Sequence, residues 1–495
     1  MTDTAPPSAT AAAPERLGTG LRVRHLTMMG LGSAIGAGLF VGTGAGIAIA
    51  GPAILVSYAV AGLLVVLVMR MLAEMAAAIP SSGSFSTYAE VGIGRWAGFV
   101  MGWLYWATLI MVLGVEITAA SGIIHGWAPV LPQWLVALVL VAGFAVVNLV
   151  GVRNFGEFEF WFASLKVGVI VVFLVVGTLL ALGLLPGTDP VGTSNLLGNG
   201  GFAPHGIAGV ASGLLVVLFA FGGIEIITIA AAESDDPQRS IATAARSIVW
   251  RILLFYVGSV AIMVLVLPWD SAALVAGEGE SGDGLGGPFV AVLDLVGVPA
   301  LGRVMEVVVV VALLSAFNAN VYGTSRMAFS LAQRGDGPGV LLRVSRQGVP
   351  WTAVVLSVAC ALVSIVLNRA LPAGLLGLLL GAVGSSLVVL WVFIAVSQLR
   401  LRRRLEAEGR LGVRMWAFPY LSWATLGLLA GFVGLMLSDS GARVQLASTA
   451  VLCLVLLGLY AVHARRRRPE VPRPVRAPSG HAPDAAGGAT GQNVG

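Results

Sequence analysis

Apolar stretches of roughly 20 residues recur along almost the entire chain, each long enough to cross a hydrocarbon core about 30 Å thick. They are expected to be helices, because lipid offers the backbone no hydrogen-bond partners. Composition removes the soluble alternative: 57% hydrophobic and 11% charged residues could not fold in water without exposing large apolar surfaces. Spans are read at about 27–50, 53–79, 97–124, 131–151, 158–185, 206–232, 245–267, 302–331, 351–369, 374–398, 416–437 and 444–463.

An even number of spans puts both termini on one side. Arg22, Arg24, Arg95, Arg153, Arg239, Arg246, Arg334, Arg343, Arg346, Arg402 to Arg404 and Arg465 to Arg468 all fall in the tails and the connections on that side. The opposite loops carry almost none, and the 268–300 loop is acidic, with Asp270, Glu278, Glu280 and Asp283. The positive-inside rule therefore predicts a multi-pass protein of the cell (inner) membrane with both termini cytoplasmic. The net charge of +5 is a topology signal, since the arginines occupy short loops and form no single basic face for nucleic acid. Residues 1–25 are expected to be a cytoplasmic tail without a cleavable signal, and 465–495 a disordered cytoplasmic tail rich in Pro, Gly and Ala.

Two spans are abnormal. The first contains Gly32-Ser33-Ala34-Ile35-Gly36-Ala37-Gly38-Leu39-Phe40, and the sixth contains Phe219-Ala220-Phe221-Gly222-Gly223-Ile224-Glu225. Glycine costs a soluble helix about 1 kcal/mol relative to Ala, so both segments invite unwinding. Gly32 and Gly36 alone would also suit close helix packing. The recurrence five spans later matches a five-helix unit repeated with inverted topology, whose broken helices meet at the midplane and form the substrate site.

Ionisable groups within spans are expensive and need a partner, a watery cavity or a function. Arg70 and Glu74 are four apart, a spacing suited to a structural ion pair. Glu116 lines the translocation path or is hydrogen-bonded between helices. Glu225 either faces the cavity and pairs with a cation or caps amides exposed at the break. Span five begins after the Glu157 and Glu159 cluster, so Lys166 stands about 12 Å into it at 1.5 Å per residue, beyond the reach of snorkelling. It is the only lysine among 29 basic residues, in a chain that otherwise uses arginine. Guanidinium stays charged at physiological pH whereas a desolvated ammonium can titrate, so Lys166 is expected to be the proton-coupling group.

Other chemistries find no support. Cys360 and Cys453 lie in apolar spans with no disulfide or metal spacing. His25, His125, His205, His463 and His481 form no metal or nucleophile pattern, which disfavours a membrane enzyme and a cofactor. No GxxxxGK[ST] loop provides for ATP.

The string GSAIGAGLF, the stretch SSGSFSTYAEVGIGRWAGFVMGWLYW, the segment NFGEFEFWFASLKVG and the run FAFGGIEIITIAAAESDDPQRSIATAARSIVWRILLFY resemble the amino-acid transporter family of the amino acid-polyamine-organocation superfamily, over spans one to twelve. IITIAAAES, SRMAFSLAQRGDGPGV and FIAVSQLRLRR are most similar to its 4-aminobutyrate (GABA) permease branch.

The resemblance implies an all-α integral membrane protein with the LeuT-like fold: 12 transmembrane helices, a 5+5 inverted repeat (about 27–185 and 206–398) and broken helices 1 and 6. It implies a carboxylate site at the backbone of Ser33, Ala34, Ile35, Gly36, Ala37 and Gly38, and an ammonium site at the carbonyls of Phe219, Ala220, Phe221 and Gly222. It also places Lys166 where sodium-coupled relatives hold their ion, although Ser315 and Asn318 on span eight leave sodium open. Ile35, Phe219 and Ile224 would make the pocket mainly apolar. The expected activity is proton symport of GABA or another neutral amino acid, the alternatives being an exchanger, a proline, aromatic or alanine/glycine carrier, or a non-transporting sensor.

Overall fold

A computed structural model of the chain describes residues 28, 35–150, 152–231, 238–243, 250, 252–271, 274, 287–370 and 375–466. Residues 465 and 466 of the tail expected at 465–495 end the last helix; the rest of that tail, the tail expected at 1–25, Ser33 and Ala34, and the acidic loop residues Glu278, Glu280 and Asp283 lie outside the described residues. Among the described residues every regular element is helical.

The first span supplies α1 (Ala37–Phe40) and α2 (Gly42–Ala50). Gly51 then turns with φ +63°, a left-handed conformation that glycine adopts at least cost, and Pro52 leads into α3 (Ile54–Ala78). A short helix, α4 (Ser84–Gly92), precedes α5 (Arg95–Trp127), followed by α6 (Gln133–Val150) and α7 (Val152–Ala181). After the small α8 (Ser194–Leu197), span six is split into α9 (Gly206–Phe221) and α10 (Ile226–Ala231). Span seven ends in α11 (Gly258–Val266), and α12 (Gly287–Asp294) leads to α13 (Pro299–Gln333). The chain closes with α14 (Trp351–Ala370), α15 (Leu375–Ala407), α16 (Tyr420–Met436) and α17 (Ser440–Arg466).

Burial separates the inner helices from the lipid-facing ones. The apolar window of Gly206–Ala231 is 94% buried, whereas that of Ser440–Arg465 is 11% buried and turns Leu454 and Leu459 outward. The split span six therefore sits at the centre, against α2, α3 and α15, and α13 packs along α5 beside it. Between helices that are as apolar as their solvent, close approach comes from small residues: a Cβ added at Gly384 on α15 would collide with the Leu215 backbone on α9.

Charges at the arginine-rich end of the bundle are tied across helices. The Asp336 carboxyl, just beyond α13, is pushed above the usual range by burial, against the pull of Arg334 and Arg95. Arg334 donates to Glu90 Oε2 (2.7 Å) and Ser86 Oγ (2.5 Å), which joins α13 to α4. The expected Arg70–Glu74 pair is replaced by a longer-range one. Glu74, fully buried, accepts hydrogen bonds from Arg402 and Gln398 of α15 and from Met415 N. Arg70 instead donates to Arg414 O (2.9 Å) and lies over the Trp416 ring. The i,i+4 spacing was satisfied, but the carboxylate points inward and the guanidinium outward to the rim.

Removing one member of a buried pair strands its partner and costs about 3–5 kcal/mol. E74A is expected to lower the melting temperature of the detergent-solubilised protein by several degrees while R70A moves it little, which a fluorescence-monitored melt compares directly.

Candidate functional site

The two breaks have different local causes. Before α1, Gly36 has φ −147° and ψ −143°, which takes the chain out of the helix, and a β-carbon there would strike Glu116 Oε1 and Ala316. Between α9 and α10, Gly222 is extended (ψ 148°) and Gly223 has φ +89°, a value that glycine adopts without strain. Bonds of the three-residue type, Gly222 N to Phe219 O (2.9 Å) and Ile226 N to Gly223 O (3.2 Å), replace the α-helical ladder there. Interrupting the ladder frees N–H and C=O groups that need other partners.

The breaks face each other. A β-carbon at Gly38 would overlap the backbone of Ala220, so the first and sixth spans touch at main-chain distance. The sequence-predicted residues Ile35, Gly36, Ala37, Gly38, Phe219, Ala220, Phe221 and Ile224 all lie in this buried crossing, and Gly222 is partly exposed. The Phe221 ring turns away from it, packing on Tyr58 (6.1 Å between centroids) and Tyr256 (4.8 Å), so only its backbone belongs to the crossing.

Three charged side chains meet the first break or one another. Both oxygens of Glu116, on α5, lie 3.1 Å from Ala37 N, capping the amide at the start of α1. Lys166, on α7 and fully buried, donates from Nζ to Ile35 O at 3.2 Å. Glu159 Oε1 lies 3.8 Å from that ammonium, and Glu159 Oε2 accepts a hydrogen bond from Ser315 Oγ of α13 at 3.0 Å.

Glu225 serves the second break. Its Oε2 accepts from Gly223 N (3.1 Å) and its Oε1 from Trp391 Nε1 of α15 (3.1 Å). Of the two alternatives for this carboxyl, these bonds are those of a cap. Asn318 Oδ1 accepts from Asn148 Nδ2 (2.8 Å), so the polar groups considered for a sodium ion are engaged with protein partners.

The sequence reading missed Glu159. It took Glu157 and Glu159 as the polar boundary of span five, yet α7 begins at Val152 and Glu159 is fully buried. A signal was present: Phe155, Phe158, Phe160, Trp161 and Phe162 surround these glutamates, and residues 159 and 166, two turns apart, share one helix face. Trp391 was missed as well, because a tryptophan in an apolar span gives no sign of the carboxylate its N–H will meet.

Known proteins resemble the chain along nearly its whole length. A family model described as amino acid permease matches residues 25–473. The chain is 54% identical to the aromatic amino acid transport protein AroP of Corynebacterium glutamicum, over 93% of this chain and 99% of that protein. It is 44% identical to the gamma-aminobutyric acid permease of Bacillus subtilis, over 90% and 94%, and 41% identical to that of Escherichia coli, over 92% and 96%.

The contact at Gly38 leaves no room for a larger residue. G38V is expected to reach the membrane in reduced amount and to abolish substrate-protected labelling or uptake, whereas G143A, where an added β-carbon meets nothing within 4 Å, should behave as wild type.

Proposed function

The chain belongs to the amino acid permease family, a family of membrane transporters and not of enzymes, and we propose that it is a proton symporter that brings GABA or another neutral amino acid into the cell by alternating access. The observation that carries this reading is the place of Lys166: a fully buried ammonium donating to Ile35 O at the unwound first span. A proton gained or lost there changes a bond to the same backbone that is proposed to hold the substrate.

In this reading the substrate carboxylate is met by the amides of Gly36 to Gly38 at the start of α1, where the helix dipole favours an anion. Its ammonium is met by carbonyls of Phe219 to Gly222, freed by the break. Lys166 is the proton-coupling group, with Glu116 shaping the first break and Glu225 the second. Ile35, Phe219 and Ile224 give the pocket apolar walls, which suits a neutral substrate. The reading favours protons over sodium because an ammonium already stands 3.8 Å from Glu159, the carboxylate that Ser315 bonds. The arginine-rich tails and connections support a cytoplasmic position for both termini of a bundle held in the inner membrane.

A second reading concerns the substrate alone. The Corynebacterium relative is named for aromatic amino acids, and an apolar pocket also suits them. A competition panel of GABA, phenylalanine, tryptophan, proline and alanine against one labelled substrate separates the two.

Purified protein in proteoliposomes with an acidic exterior is expected to accumulate its amino acid, and a sodium gradient without a pH gradient to drive none. K166R keeps the charge but cannot titrate, so it should fall to the level of empty liposomes under the pH gradient. Full gradient-driven accumulation by K166R would overturn the coupling role of Lys166.

A further inference from the structure

Glu159 belongs to none of the groups that the proposed symport mechanism uses, yet it is the buried carboxylate whose oxygen lies 3.8 Å from Lys166 Nζ. We infer that Glu159 is a positioning residue that sets the proton affinity of Lys166, so that the two form one proton-binding unit; this rests on Lys166 being the coupling group.

The geometry supports the pairing from several sides. Helix side chains lean toward the N-terminus of their helix, so Lys166 reaches back along α7 toward residue 159. Ser315 Oγ donates to Glu159 Oε2, which turns Oε1 toward the ammonium and fixes the carboxylate from α13. Glu159 Oε1 has no hydrogen-bond donor among the described residues, so its interaction is with the Lys166 charge.

The surroundings contain few competing charges. Glu116 on α5 also interacts electrostatically with Lys166, but both its oxygens are directed at Ala37 N. Among the described residues, α6 and α11 carry no charged side chain and α6 offers only Asn148 as a polar neighbour at this level. Tyr256 lies in the π-helical segment Ile252–Val257 that runs into α11, while Asp294 of α12 and Arg303 of α13 are exposed near the ends of their helices. Arg326 of α13 is turned onto the Tyr322 ring.

A buried ammonium loses its proton unless a negative charge stands close by. With Glu159 ionised, the protonated unit is neutral overall (Lys166 +1, Glu159 −1) and the deprotonated unit carries −1. One proton enters or leaves at Nζ per cycle, and the carboxylate remains in place. Substrate release from the first break and proton release from the unit would then share one element, the Nζ bond to Ile35 O.

The test is the pH dependence of uptake of labelled GABA and labelled phenylalanine in E159Q proteoliposomes. Glutamine preserves the shape and can still accept from Ser315, but it removes the charge. Losing an opposite charge within about 4–6 Å should shift the pH of half-maximal uptake to the acid side by about one unit or more, with uptake restored toward wild type at low pH. A merely structural role would lower the maximal rate and leave the midpoint where it is, and that result overturns the inference. Should E159Q fail to reach the membrane, S315A decides: a smaller acid shift supports the pairing, and an unchanged midpoint overturns it. If the wild type shows no pH-driven uptake at all, the symport reading itself has failed, an outcome distinct from a proton-coupled wild type whose E159Q variant keeps its midpoint.

Discussion

At two places inside the bilayer, around Gly36 and from Gly222 to Glu225, the chain leaves helical geometry, and each N–H or C=O released there has to find a partner within the protein or its substrate. Three buried side chains answer this need. Glu116 takes the Ala37 amide, Lys166 donates to the Ile35 carbonyl, and Glu225 takes the Gly223 amide. The groups left over at the crossing of the two spans are the ones proposed to recognise the two charged ends of an amino acid. Small residues are needed there because Gly38 approaches Ala220 at main-chain distance.

Both breaks are supported by side chains of other helices. At the first, α5 caps the break with Glu116 and α7 reaches it with Lys166. At the second, α15 reaches the Glu225 cap with Trp391, and Asn320 of α13 lies near Gly223. The difference is chemical: an indole N–H cannot titrate at physiological pH and an ammonium can. An asymmetry of this kind is what the proposed coupling requires.

Much of this was legible in the sequence because lipid makes strict demands. Apolar length marked the spans, glycine runs marked both breaks, and a lone lysine among arginines marked Lys166. The failures came where sequence distance misleads. Arg70 is four residues from Glu74, but the carboxylate pairs with Arg402, which is 328 residues away, because its side chain faces the bundle interior. Glu159 was read as a boundary charge because a glutamate is normally wet. The structure continues α7 outward past it and supplies two partners, Ser315 on α13 and the lysine two turns on along α7 itself. Pairings across helices are properties of packing, which no single segment encodes.

The central claim is that one proton moves with each zwitterion, so that each complete cycle moves one net positive charge inward. Currents recorded from proteoliposomes on a solid-supported membrane read this directly, without a labelled substrate. The account predicts an inward current on adding the amino acid in sodium-free buffer, larger at acidic than at alkaline pH, with a reversal potential that moves with the pH gradient. Electroneutral uptake, or a current that follows sodium and ignores the pH gradient, would contradict it.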